Sequence, residues 1–297
     1  MINRLKKCAL CGVESELELS HIVPKMAVRT LKKTSIGNIR NTDNPNMTVQ
    51  DSEKHYMLCG ECEDLFSEYE TYFANLMFHP YLKSEKIKFD YDERLFYFLT
   101  SVSWRSLYWD LLDFVENHVV GIEALECLIK AEKIMHDYLL HKRADIEHIE
   151  NHIYFFDDIK EISNNDPNNI KNMHPHASFH RGIASYTFCY EKEGTYGTIT
   201  NMMGIVILTF YGLGKEEKWV NTKILNQIGI IKAREQMVTS VVGNEFAHIT
   251  KTTYNASNNM SDSQQKKVAD RISKAGETVK DSAVFKDWEN DRRLAEE

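Results

Sequence analysis

A chain of 297 residues with 42% hydrophobic content holds enough apolar material for one large or two ordinary cores. Its net charge of −8 excludes a generic polyanion-coating protein, because affinity for nucleic acid comes mostly from Lys and Arg neutralising phosphates. No window approaches the roughly 18 uninterrupted apolar residues of a spanning helix, and the start "MINRLKKCALCG" lacks the apolar stretch of a secretory signal, so the expected location is the cytoplasm, with no membrane partner.

The first unit, residues 1–82, carries two C-x-x-C pairs, Cys8 with Cys11 and Cys59 with Cys62. Its charge runs against that of the whole, since residues 1–50 hold eight basic side chains and four acidic ones. After the first pair "LELSHIV" reads as a short β segment, and Pro24, which cannot donate to a strand ladder, ends it just past His21. "KMAVRTLKK" then sets Lys25, Arg29, Lys32 and Lys33 at helix-compatible spacing. In a chain that is otherwise acidic, this stripe predicts contact with phosphates. "TSIGNIRNTDNPNMTVQDSEK" is rich in Asn, Asp, Gly and Pro and reads as a loop able to approach a substrate. From Cys62 onward, apolar residues recur every three or four positions in "CEDLFSEYETYFANLMF", which predicts a helix packed along one face.

Residues 83–150 read as a helical segment, with apolar stripes in "DERLFYFLTSVSWRSLYWDLLDFVENH" and "GIEALECLIKAEKIMHDYLLHKR". Trp104, Tyr108 and Trp109 lie in the first stripe and are expected in the core. Residues 151–256 read as an α+β unit. "HIYFFDDI" is strand-like, with Asp157 and Asp158 at its end as surface or capping groups, and "ASYTFCYEKEGTYGTITNMMGIVILTFYG" predicts antiparallel strands and hairpins. The histidines His174, His176 and His180 have no carboxylate at matching spacing after them and are not taken as a metal site, and Glu245 near His248 is read as ordinary surface. Residues 257–297 are polar and charge-mixed, a solvated helix or a mobile tail. The expected fold class is α+β.

Four thiolates in two pairs make a complete tetrahedral shell for Zn²⁺, and a closed Cys₄ shell is structural. A dithiol redox pair would not need the second C-x-x-C. Cys127 and Cys189 stand alone in apolar surroundings and are expected to be buried thiols.

Taken together, "CALCG", "SHIVP" and "LCGECE" resemble the HNH or His-Me finger nucleases of the zinc-bound type, over residues 8 to about 75. The resemblance implies a ββα-metal finger in which His21 is the general base and a divalent cation, Mg²⁺ or Mn²⁺, sits beside the scissile phosphate. Histidine suits the role because its ordinary pKa, near 6.5, leaves a neutral imidazole at physiological pH. Many members carry an acid before the histidine and an Asn or His after the last cysteine; here the residues are Ser20 and Glu63. Glu63 becomes the expected ligand of the catalytic cation, with Glu70, Asp51 or His55 as further candidates. The asparagine of the family's middle letter has no counterpart just before "LC", where Lys54 and His55 stand. The implied function is a metal-dependent endonuclease acting on DNA in preference to RNA, of a kind that serves prokaryotic defence against phage or mobile DNA. The region after residue 83 would sense, recruit a protein partner or form a homodimer. The alternative is a non-catalytic zinc-finger protein that binds nucleic acid or serves as an adaptor; a third reading is a regulated toxin whose C-terminal region binds a small signal.

Overall fold

The computed structural model describes residues 5–83, 86–156 and 170–296; Asp157, Asp158 and most of the Asn-rich loop that follows them lie outside the described residues. At the N-terminus β1 (Leu5–Lys7), β2 (Glu14–His21) and β3 (Lys54–Cys59) form an antiparallel sheet in that order. Helix α1 (Lys25–Thr34) follows β2, and α2 (Gly60–Phe73) begins directly after β3. A bulge interrupts the β2–β3 ladder. Glu18 pairs with Leu58 while Leu19 pairs with Tyr56, so Met57 is the extra residue. It breaks the in–out alternation, and Met57, Leu58 and Cys59 are all buried. The groups freed by the bulge find partners: the Met57 carbonyl accepts the Ala9 N–H at 2.9 Å, and the Ser20 hydroxyl accepts the Leu58 N–H at 3.2 Å.

Helix α2 runs through a π-helical turn, Ala74–Phe78, into the short α3 (His79–Leu82), where Pro80 falls in the first turn and its missing N–H costs nothing. After β4 (Lys88–Tyr91) comes α4 (Glu93–Asn117), capped by Asp92, whose carboxylate accepts the Arg94 N–H at 3.0 Å. Every residue from Leu95 to Leu107 is buried, so α4 is the central rod of the molecule rather than a surface helix. Its small polar residues are satisfied locally or across the packing: Thr100 and Ser101 donate to carbonyls of their own helix, and Ser103 bonds the Thr209 hydroxyl at 2.7 Å. Helix α5 (Ile122–Leu139) packs alongside it.

The remaining described elements are β5 (Glu150–Phe155), α6 (Pro175–His180), β6 (Ile183–Tyr190), β7 (Thr195–Met202), β8 (Ile205–Gly212), β9 (Lys218–Val220), β10 (Lys223–Ile224), β11 (Gly229–Lys232), β12 (Met237–Thr239), α7 (Gly243–Asn258), α8 (Asp262–Ala275) and α9 (Ala283–Glu296). Five of these strands form one antiparallel sheet in the order β10-β5-β8-β7-β6, while β11 pairs with β4 and β12 with β9. Strand β8 is buried on both faces, which explains its continuous apolar run. Ile205, Ile207 and Tyr211 join the core around α4, and Val206, Leu208 and Phe210 join a second cluster with Phe179 and Ile249. The β7–β8 hairpin turns on Met203 and Gly204, both at positive φ; a Cβ on Gly204 would also lie 2.2 Å from the His180 ring.

The larger core runs without a break from Cys8 to Ala233, across the sequence boundaries expected at residues 82 and 150. The C-terminal segment, expected as a charged helix or mobile tail, is helical as α8 and α9. Helix α9 is anchored on α6, where the buried Asp291 accepts the His176 and Ala177 N–H groups at 2.8 and 3.0 Å and faces the His176 ring at 2.9 Å. No described helix is long and apolar enough to cross a membrane.

Candidate zinc site and the histidine at the end of the ribbon

The first cysteine pair sits on a knuckle closed by three local features: the Cys8 N–H bonded to Val13, the Gly12 N–H bonded to Cys8, and Gly12 at φ +74°. The second pair straddles the β3–α2 junction. Docking of Ala9 on the bulge carbonyl of Met57 brings the two pairs together, and the ligand atoms of Cys8, Cys11, Cys59 and Cys62 all lie within 4.8 Å of one another. All four are free thiols. The Cys11–Cys59 sulfur separation of 3.7 Å is far from a disulfide bond and matches the edge of a tetrahedron built on zinc–sulfur bonds of about 2.3 Å, roughly 3.8 Å. The Cys59 N–H donates to the Cys8 sulfur at 3.4 Å, the kind of second-layer contact that steadies a thiolate ligand. Burial and the neighbouring Cys59 and Cys8 sulfurs push the Cys62 thiol far up; four packed thiols cannot all ionise without a cation among them. The donor set therefore fits zinc, and these four cysteines could hold it.

His21 ends β2 opposite Lys54, the first residue of β3, whereas Cys59 pairs with Leu17 at the other end of the ribbon. The four residue steps from Leu17 to His21 span about 13 Å of strand. The ring is fixed from the loop after α1: Nε2 lies 3.1 Å from Asp51 Oδ1. Asp51 also accepts the Ser52 N–H at 3.1 Å and the Lys54 ammonium at 3.0 Å. Burial would raise its pKa, but the bonds from Lys54 and His21 outweigh that and hold it down to about 2. An ionised Asp51 only accepts, so Nε2 is the donor in this contact and Nδ1 is the ring nitrogen left facing away from Asp51. The backbone of His21 is fixed as well. Its carbonyl accepts Arg105 Nη1 at 2.9 Å, and Arg105, buried in α4, pairs with Glu70 on α2 at 2.8 Å.

The other sequence candidates fall around this frame. Ser20, where an acid is expected, is fully buried and spends its hydroxyl on the bulge. Glu63 stands in the first turn of α2, half-buried, with Oε1 buried and without a hydrogen-bond partner. Glu70 is the residue of α2 that reaches the level of His21, through Arg105. His55 pairs with Glu53 at 2.7 Å and stacks on Trp109 with ring centroids 3.4 Å apart. On α1, Ala27, Val28 and Leu31 are buried while Lys25, Arg29, Lys32 and Lys33 face solvent; Lys32 is tied to Gln50. Trp104 is fully buried, as expected, and Tyr108 and Trp109 are half-buried. Cys127 and Cys189, expected as buried thiols, are half-buried.

Beside Asp51 and Ile22 the loop opens a cavity of about 220 Å³ with apolar walls from Val28, Ile39 and Ile183 and polar groups from Arg40, Asp51 and Glu53. The bond between Asp51 and His21 crosses the loop over 30 residues and has no periodic signal in the sequence. Asp51 entered only as a candidate cation ligand. The sequence signal for Arg105 is a single charged residue inside an apolar helical stripe. Among the described residues the histidines of α6 join no metal-ligand group. Comparison with protein families, curated proteins and solved structures finds none that matches this chain.

Proposed function

We propose that the protein is a metal-dependent endonuclease that hydrolyses phosphodiester bonds of DNA, with a structural zinc on Cys8, Cys11, Cys59 and Cys62. The observation that carries the reading is His21: a half-buried imidazole at the end of β2, held at Nε2 by the ionised Asp51 and at its carbonyl by Arg105, with its neighbours Ile22 and Asp51 lining an open cavity of mixed polar and apolar walls. In this reading Nδ1 of His21 takes a proton from a water molecule, whose oxygen attacks phosphorus as the bridging oxygen departs. Asp51 stabilises the imidazolium that forms. A Mg²⁺ or Mn²⁺ ion, when bound, supplies neutralisation of phosphate charge. Asp51 or Glu70, which stand at the level of His21, would hold it; Glu63, the ligand expected from the sequence, has an orphaned buried oxygen but stands at the cysteine end of the ribbon. Lys25, Arg29, Lys32 and Lys33 would contact the DNA backbone, which fits their common exposed face. A role in defence against phage or mobile DNA follows from the resemblance alone.

A second reading, a zinc scaffold that binds nucleic acid or a partner without cutting, draws on Ser20, whose hydroxyl serves the β2–β3 bulge instead of a cation. One experiment separates the two. Purified protein and His21→Ala are incubated with plasmid and single-stranded DNA in Mg²⁺ or Mn²⁺. The nuclease reading expects cleavage that the variant reduces by at least about 10²-fold. Equal cleavage by both, or none with any cation, leaves the scaffold.

A further inference from the structure

A cavity of about 390 Å³ lies away from His21, where α1, the segment after α3, the β7–β8 hairpin and α9 meet. That volume is within the range of small-molecule sites. Its lining carries five basic side chains, Lys86, Arg181, Arg234, Lys286 and Arg293, against one described carboxylate, Asp287. In a chain of net charge −8 this concentration of cations is against the trend. Among the described residues it is not internally neutralised. Asp287 is already taken by His180 at 2.8 Å and by Arg181 at 3.7 Å. Among the described residues the side chains of Arg234 and Lys286 make no hydrogen bond or ion pair, and the Arg293 guanidinium bonds Asn290, which is neutral. Like charges held around one concavity repel one another unless an anion sits between them, and low-dielectric walls focus their field inward.

The remaining lining has a different character. Tyr81, Leu82, Ile87 and Met203 give an apolar wall, and Thr30 and Thr34 of α1 add hydroxyls. Charged groups at one side and an apolar wall at the other suit a ligand with several phosphates and a flat or apolar body. Arginine is the side chain best shaped to take phosphate oxygens in pairs. We propose that this cavity binds a phosphorylated small molecule of nucleotide size, a nucleoside polyphosphate in chemical class. The site is separate from His21 and its binding does not depend on the chemistry proposed there. Because it joins α1 to α9, an occupant would tie the C-terminal helix to the N-terminal module.

Binding of ATP, GTP, tripolyphosphate, adenosine and a short single-stranded DNA to the full chain is measured by titration calorimetry and by the shift of the melting temperature. The comparison protein is Arg234→Ser with Lys286→Ser, two exposed side chains whose loss removes no internal bond. Saturable binding of ATP or GTP, weaker binding of tripolyphosphate, none of adenosine, and a Kd raised about tenfold or more in the double variant are expected. Absence of saturable binding of either nucleotide up to millimolar concentration overturns the proposal, as does unchanged affinity in the variant. Equal affinity for tripolyphosphate and nucleotide removes the nucleoside from it. Displacement of ATP by the DNA at equal affinity makes the cavity part of a nucleic-acid surface instead.

Discussion

Two aspartates near β3 have been moved in opposite directions by their surroundings, and each leaves a signature in the pH dependence of stability. Asp110 on α4 is largely buried; burial, with a smaller push from the Glu53 carboxylate, raises it to about 6 although Thr187 donates its backbone N–H at 2.7 Å. A carboxyl raised in the native state binds its proton more tightly than in the unfolded chain. Stability therefore falls as pH rises from about 4 to about 6 and stays lower above. Asp110→Asn keeps the acceptor for Thr187 and removes the charge, so it is expected to stabilise the protein at pH 7.5 by on the order of 2 kcal/mol and to change little at pH 4. Urea midpoints at the two pH values check this. Asp51 and Glu150 run the other way. Asp51 is held at about 2 despite its burial, by Lys54 and His21, and Glu150 at about 2 by His152 and then Lys223. Their contributions are fully present above about pH 4 and are lost as pH falls towards 2. Asp51→Asn with Glu150→Gln should flatten the acid limb of the melting curve below pH 4 and leave its neutral part parallel to the parent.

At the scale of elements, α4 does more than fill the core. Arg105 reaches from it to the end of β2 and to Glu70 of α2, so one guanidinium sets the relation of two elements of the N-terminal module. Arg105→Met leaves Glu70 unpaired and the His21 carbonyl without its donor. A loss of about 3 kcal/mol is expected from breaking a buried pair, and part of it should return in Arg105→Met with Glu70→Gln, where no charge is stranded. Denaturant unfolding of the two variants beside the parent measures both. How far these elements were legible depended on whether their cause was local. The cysteine pairs were, because metal spacing is written within four residues. The strands of the large sheet were, because alternation and glycine turns are written within eight. The partner of His21 was not. Asp51 stands 30 residues away across a loop, and no period connects the two positions. The cations of the large cavity are spread from Lys86 to Arg293 and meet only because α9 folds back onto α6. The β2–β3 bulge was equally silent, although it explains why a serine stands before His21.

For the whole molecule the decisive feature is the continuity of the core. Sequence composition suggested separate units at 1–82, 83–150 and 151–256, yet Cys8, Leu10, Leu17 and Phe66 pack into the same cluster as Leu95, Trp104, Met135 and Ile207. The N-terminal sheet is small, and a module of that size depends on a staple as much as on buried area. If the staple is zinc, its removal acts on both sides of that core at once. The thiols lose the cation that lets them sit together, the knuckle carrying Leu10 loosens, and the cluster that Leu10 shares with α4 loses part of its packing. Chelation at neutral pH, or Cys8→Ser with Cys59→Ser, should therefore lower the melting temperature of the entire chain as one transition. Differential scanning calorimetry with and without chelator, beside the zinc content of the purified protein, distinguishes the cases. A single heat-absorption peak that shifts down as a whole follows from the shared core. A small early peak followed by an unshifted main one would mean that the zinc module unfolds alone, and that the contacts between Phe66 and Trp104 contribute little to cooperativity.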